Sequence, residues 1–223
     1  VDLIPFKTCS FDCIYCECGA TTDKTLKRGN YADINKIIFE LDNFLEKKPK
    51  LDFITLAGSG EPTLNKDVGR LIAVIKNKYP SYKVAVLTNS SLFTDIKLCE
   101  ELLDADLIVP SLDAGSQEIF EKINKPTAGL MLKDIVRGLI KFRKMFKGRM
   151  WLEVFISPDL NDSDEEMLLV LQYARKIKPD KIQLNTLDRP GTDASLKAEG
   201  IEKLEHIAKI FKDFNVEIVS RKK

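Results

Sequence analysis

Short apolar runs that end in polar turn residues alternate with amphipathic stretches along the whole chain. This alternation narrows the possible folds more than any other feature. The runs at 1–6, 51–57 (LDFITLA), 82–88 (YKVAVLT), 106–111, 150–156, 181–185 and 216–219 read as strands. Helices are predicted at 34–48, 67–78, 94–103, 117–123, 130–146, 163–177 and 201–214. In the first of these, Ile34, Ile37, Ile38, Leu41, Phe44 and Leu45 recur with helical spacing. Asp33, Thr94 or Asp95, and Ser163 stand at cap positions, and Pro80 and Pro179 end helices. Strands alternating with helices build parallel βαβ units. The expectation is an α/β fold, a partial (β/α)6 barrel with a parallel sheet and a C-terminal extra strand. An open doubly wound sheet is the alternative. No repeat or linker divides the 223 residues, so they read as one domain, 1–223. A domain of that size buries roughly 70–75% of its unfolded surface and needs no disulfide staples.

Cys9, Cys13 and Cys16 are spaced C-x3-C-x2-C. That spacing places three thiols on one short loop, able to grip one metal centre. A closed [4Fe–4S] cluster takes four thiolates, so three leave one iron open to a small molecule. The remaining cysteines are Cys18 and Cys99. An odd count clustered at one end does not read as a disulfide framework but as a metal site in a reduced, cytoplasmic protein. Zinc, with Cys18 as fourth ligand, is the other reading of the same spacing. With 35 basic and 34 acidic residues the net charge is +1, which gives no strong field toward nucleic acid or membrane. No apolar run reaches the ~18 residues of a membrane span, and the first residues lack the pattern of a signal peptide.

In parallel α/β folds, functional groups gather at the carboxyl ends of the strands. Those ends carry the cysteine loop, Gly58-Ser59-Gly60-Glu61-Pro62-Thr63, Thr88 and Asn89, Ser111 and Asp113, Ser157 and Asp159, and Asn185 with Arg189 beyond. Glycines let a backbone approach a ligand closely, and Glu61 offers a carboxylate to an ammonium group. The turn is not a phosphate loop, since no Lys-Ser or Lys-Thr follows it.

These residues resemble the radical SAM enzymes. The cysteine triplet, with Tyr15 before its last member, is similar to that superfamily's cluster motif, and Ser59-Gly60-Glu61-Pro62 to its Gly-Gly-Glu-Pro signature. Segments 5–10, 55–64 and 110–114 further resemble the group related to the wyosine-forming tRNA enzymes. Those carry further cysteines upstream for a second cluster, a site that Cys18 and Cys99 do not supply. The resemblance implies a [4Fe–4S] cluster on Cys9, Cys13 and Cys16, and S-adenosylmethionine chelating the open iron. It implies reductive cleavage to methionine and a 5′-deoxyadenosyl radical that takes hydrogen from a substrate. It also implies Glu61, Ser59 and Gly60 at the methionyl ammonium, Thr88 and Asn89 at the methionyl or ribose part, and Ser111 and Asp113 at the ribose hydroxyls. Asn185 would lie near the adenine or ribose, with the backbone of Phe11 and Tyr15 at the adenine edge. Arg189 is assigned to an anion or to a surface ion pair. No residue is singled out as catalytic. Partners implied are an unknown substrate, either a tRNA base or a peptide side chain, and a low-potential donor such as flavodoxin or ferredoxin, with no membrane. Cys99 reads as core, His206 as surface, the basic run 137–149 as a solvated helix face, and Trp151 and Phe155 as packing.

Overall fold

Six strands run parallel in chain order in the computed structural model, which describes residues 1–219. They are β3 (Ile54–Leu56), β4 (Val84–Thr88), β5 (Leu107–Pro110), β6 (Arg149–Phe155), β7 (Lys181–Asn185) and β8 (Val216–Val219). A separate two-stranded pairing joins β1 (Thr8–Cys9) to β2 (Asp23–Lys24). The helices are α1 (Ile34–Leu45), α2 (Val68–Lys78), α3 (Ile96–Glu101), α4 (Gln117–Asn124), α5 (Leu132–Met145), α6 (Asp164–Ile177) and α7 (Ile201–Ile210). The register is continuous, from Ile54 opposite Val84 to Asn185 opposite Val219. β3 and β8 are the two edges and do not pair with each other.

The helices start where their caps lie. Asp33 accepts from the backbone N–H of Asn35 and Lys36, Asp95 from Lys97 and Leu98, and Ser163 from Glu166. α1 and α7 end at Leu45 and Ile210, short of the expected 48 and 214. At the end of the first, Lys48 is left-handed (φ 48°).

Alternation along the strands decides between barrel and doubly wound sheet. Val84, Val86, Leu152 and Val154 pack with helix residues such as Leu71, Phe142 and Val170 in one large core. On the opposite face Ala85, Leu107 and Val109 pack with Phe53 and Trp151, and no helix residue joins them. All helices therefore cover one face, and the sheet curls around the other as a partial barrel. The lumen is plugged at one end by that small apolar cluster. There Lys181 Nζ lies 4.2 Å over the Trp151 ring and 2.9 Å from Glu217, so its charge is already matched.

The first predicted strand is a correction. Residues 1–6 do not form one. The Val1 amino group donates to Thr55 O at 2.7 Å and Ala57 N to Val1 O at 3.1 Å, but Pro5 has no N–H and Lys7 is left-handed (φ 59°), which ends the extended run. The six sheet strands are thus the second to the last of the sequence reading. Among the described residues, no helix is long and apolar enough to cross a membrane.

Candidate active site

The cysteine loop sits at the carboxyl end of the sheet because hydrogen bonds to its backbone clamp it from two sides. Asp12 N and Ile14 N donate to Asn124 O and Ile123 O at the end of α4. Thr192 Oγ1 donates to Cys13 O and Ile14 O, and Asp193 N to Ile14 O. Asn89 Nδ2 donates to Cys9 Sγ and Asn124 Nδ2 to Cys13 Sγ, each at 3.5 Å, and Lys7 Nζ to Cys16 Sγ at 3.0 Å. Among the described residues no three His, Cys, Asp or Glu side chains meet as metal ligands. Each thiol instead turns to its own donor. All five cysteines are free, and Cys99 is buried.

The donor set fits a sulfur-ligated iron group. Burial pushes the Cys9 thiol up to about 11, with the Glu61 charge adding to it. Burial raises Cys13 further, partly offset by the Asn124 bond. A thiol that binds a metal gives up its proton outright, so occupancy and deprotonation would be coupled here.

The glycine turn is built against this loop. A Cβ at Gly60 would stand 1.9 Å from Thr8 O, the carbonyl that also accepts from Glu61 N. Only glycine permits that approach. Across the turn, Asp2 Oδ2 accepts from Ser59 N and Ser59 Oγ. Glu61 is buried and largely occupied. Its Oε1 accepts from Thr63 N, Thr63 Oγ1 and Thr88 Oγ1, and its Oε2 from Asn89 N. The carboxylate thus ties the ends of β3 and β4 together, and Oε2 alone has room for a further donor. Burial raises its pKa, opposed by these bonds.

A second group surrounds Asp113. It accepts from Tyr15 OH at 2.6 Å, Asn124 Nδ2 at 2.7 Å and Phe155 N at 2.9 Å. The Tyr15 ring stacks on Phe155 with centroids 3.9 Å apart. Asp113 therefore anchors the cysteine loop to β6, a job for which the sequence held no sign. Replacing it with alanine leaves Phe155 N without an acceptor in a buried place and Tyr15 and Asn124 with only the Cys13 sulfur, at a cost of about 3 kcal/mol, and chemical denaturation of Asp113→Ala should read that loss. Phe11 packs edge-on against Phe120, its carbonyl accepts from Thr21 Oγ1, and its N–H supports Cys9.

A model of the radical SAM superfamily matches residues 3–171. The chain belongs to that superfamily. Members of the radical SAM superfamily use a [4Fe–4S] cluster and S-adenosylmethionine. A Brachyspira hyodysenteriae protein called GTPase Obg is 43% identical over 211 residues, 95% of this chain and 31% of that protein. The Methanocaldococcus jannaschii protein MJ1312, of the UPF0026 group, is 30% identical over 225 residues, 100% of this chain and 68% of that protein. The chain thus spans about a third of the first relative's length. Among solved structures, a radical SAM methyltransferase from Sphaerobacter thermophilus superposes with a TM-score of 0.77 at 16% identity, covering 100% of this chain and 66% of that one. TYW1 with a lysine-pyruvate adduct bound gives 0.68 at 16%, covering 93% and 70%. At these identities the structures speak for the fold alone.

In this radical SAM protein the predicted residues converge. Thr88 and Asn89 join Glu61 to Cys9, while Ser111 and Asn185 meet at a group the sequence reading passed over, Glu153. Ser111 Oγ lies 3.4 Å and Asn185 Nδ2 3.5 Å from its carboxylate. Glu153 shares its face with Trp151 and Phe155 by the period of a strand, so it points into the lumen above the apolar plug. An acid within an apolar strand was the available signal. Asn124 and Lys7 were also passed over. Arg189 is exposed and pairs with Glu17 at 3.1 Å, the surface alternative. His206 bonds Asp164 at the surface, and Cys99 is core, as expected.

Burial raises the Glu153 pKa, and the Asp113 charge adds to it. In acid both folded and unfolded chains hold this proton. As pH rises above about 4 the unfolded chain ionises first, so stability falls until the raised folded value is passed. Glu153→Gln should therefore have a higher Tm than the parent at pH 8. A pH series of melting curves should show the difference closing near pH 4.

Proposed function

We propose that this protein reductively cleaves S-adenosylmethionine and turns the radical on a base of an RNA, tRNA above all, that enters the lumen toward Glu153. One observation carries the cleavage half of this reading. The three-cysteine loop and the Ser59–Gly60–Glu61 turn are fitted against each other so tightly that Gly60 admits no side chain. When bound, the cluster and S-adenosylmethionine supply an electron-triggered 5′-deoxyadenosyl radical that takes one hydrogen atom from the substrate.

The chain's own residues hold and orient. Cys9, Cys13 and Cys16 are assigned to the cluster, with Asn89, Asn124 and Lys7 behind their sulfurs. Glu61 Oε2, with the backbone at Ser59 and Gly60, is assigned to the methionyl ammonium. Thr88 and Asn89 flank it. Ser111 and Asn185 are assigned to ribose hydroxyls, the backbone of Phe11 and Tyr15 to the adenine edge, and Asp113 to holding Tyr15. Above the plug, the Glu153 carboxylate lies beside Ser111 and Asn185 and keeps acceptor capacity for a donor on the substrate. Such an acceptor suits an amino group or ring N–H on the edge of a nucleobase. A low-potential flavodoxin or ferredoxin is the electron source, and five free cysteines favour a reducing cytoplasm.

Anaerobic reconstitution should give about four irons per chain and dithionite-dependent 5′-deoxyadenosine. Bound zinc without cleavage would sink the reading. Nucleosides from RNA of a strain lacking the protein should lose one modified base. Unchanged nucleosides alongside an altered peptide would move the substrate to a protein side chain.

A further inference from the structure

Lys7 is 2% exposed, and lysines are rarely so buried unless paired. Its ammonium donates to Cys16 Sγ at 3.0 Å and, among the described residues, makes no ion pair with a carboxylate. Its backbone is held in the left-handed region (φ 59°), which L side chains seldom occupy. Four bonds fix it there. Lys7 N donates to Ser59 O, and Lys7 O accepts from Thr22 N, Thr22 Oγ1 and Asp23 N. The strained residue thus lies between the glycine turn and β2, and it aims a cation at one sulfur.

A neutral thiol does little to compensate a buried ammonium. A metal-bound thiolate does, through a charge-assisted bond. The placement makes electrostatic sense when Cys16 is an iron ligand. Hydrogen bonds to cluster sulfurs and local charge are what set an iron–sulfur potential. A cluster gains one negative charge on reduction, so a fixed cation beside it favours the reduced form.

We propose that Lys7 is a positioning residue whose ammonium, bonded to Cys16, raises the reduction potential of the cluster and brings it within reach of the electron donor. The inference rests on the cluster assignment above. The test compares Lys7→Met, Lys7→Gln and Lys7→Arg with the parent after anaerobic reconstitution. Iron and sulfide per chain are measured first, then the midpoint of the reduced-cluster EPR signal in a redox titration.

The expected order of potentials is parent close to Lys7→Arg, then Lys7→Gln, then Lys7→Met lowest, all at equal iron content. Equal potentials in cluster-loaded Lys7→Met and parent would overturn the inference and leave the cluster assignment standing. A parent that takes up no iron and sulfide would overturn both. If Lys7→Met does not load, the Lys7→Gln midpoint decides: a downward shift supports the proposal and an unchanged value overturns it.

Discussion

Cys13→Ala should leave a folded protein that retains no intact four-iron cluster after anaerobic reconstitution and releases no measurable 5′-deoxyadenosine. Three cysteines are the whole thiolate supply of the loop, and a fourth ligand is already missing. Loss of one therefore leaves two, and Cys18 lies beyond the clamped turn. The fold should survive because the loop is held through its backbone groups, by Asn124 O, Thr192 Oγ1 and Asp193 N, rather than by its sulfurs. Removing Cys13 frees Asn124 Nδ2 and the Tyr15 hydroxyl, both of which still donate to Asp113. Far-UV circular dichroism should match the parent, while the brown absorption and the iron content are lost. Parental iron content with undiminished cleavage would remove Cys13 from the site.

Gly60→Ala should damage both stability and activity. The added methyl meets a backbone carbonyl, Thr8 O, at 1.9 Å, and the Ile4 side chain at 2.8 Å. A flexible side chain could swing away from such a contact. A carbonyl that also accepts from Glu61 N cannot move without opening the junction between turn and cysteine loop. Overpacking of this kind costs about 3 kcal/mol at its upper range, or about 6–12 °C in Tm for a chain of this length. Affinity for S-adenosylmethionine should fall with it, because the Ser59–Glu61 backbone is displaced. Gly200→Ala is the control. Its Cβ would meet nothing within 4 Å, so its melting curve should stay near the parent's.

Much of this architecture was legible because the signals are local. Asp33, Asp95 and Ser163 act as caps through bonds two or three residues away, and residue type and spacing encode such bonds directly. The site residues were legible as types at strand ends for the same reason. What escaped was their valence. Glu61 and Asp113 are acids at the expected places, yet most of their acceptor capacity goes to partners such as Thr88 and Tyr15 that only the tertiary fold delivers. Lys7 escaped because its aim depends on a left-handed backbone at a residue that seldom adopts one. The same turn broke the strand predicted at 1–6. Asn124 escaped because the last turn of α4 meets the cysteine loop only in three dimensions. Glu153 was within reach, since an acid in phase with Trp151 and Phe155 on a strand has to face something other than the helices.

The two unjoined edges, β3 and β8, bear on what size of molecule can be served. A fully closed eight-stranded cylinder receives a substrate only over its rim. A cylinder split along one side can admit a single unit of a long polymer while the rest of the polymer stays outside.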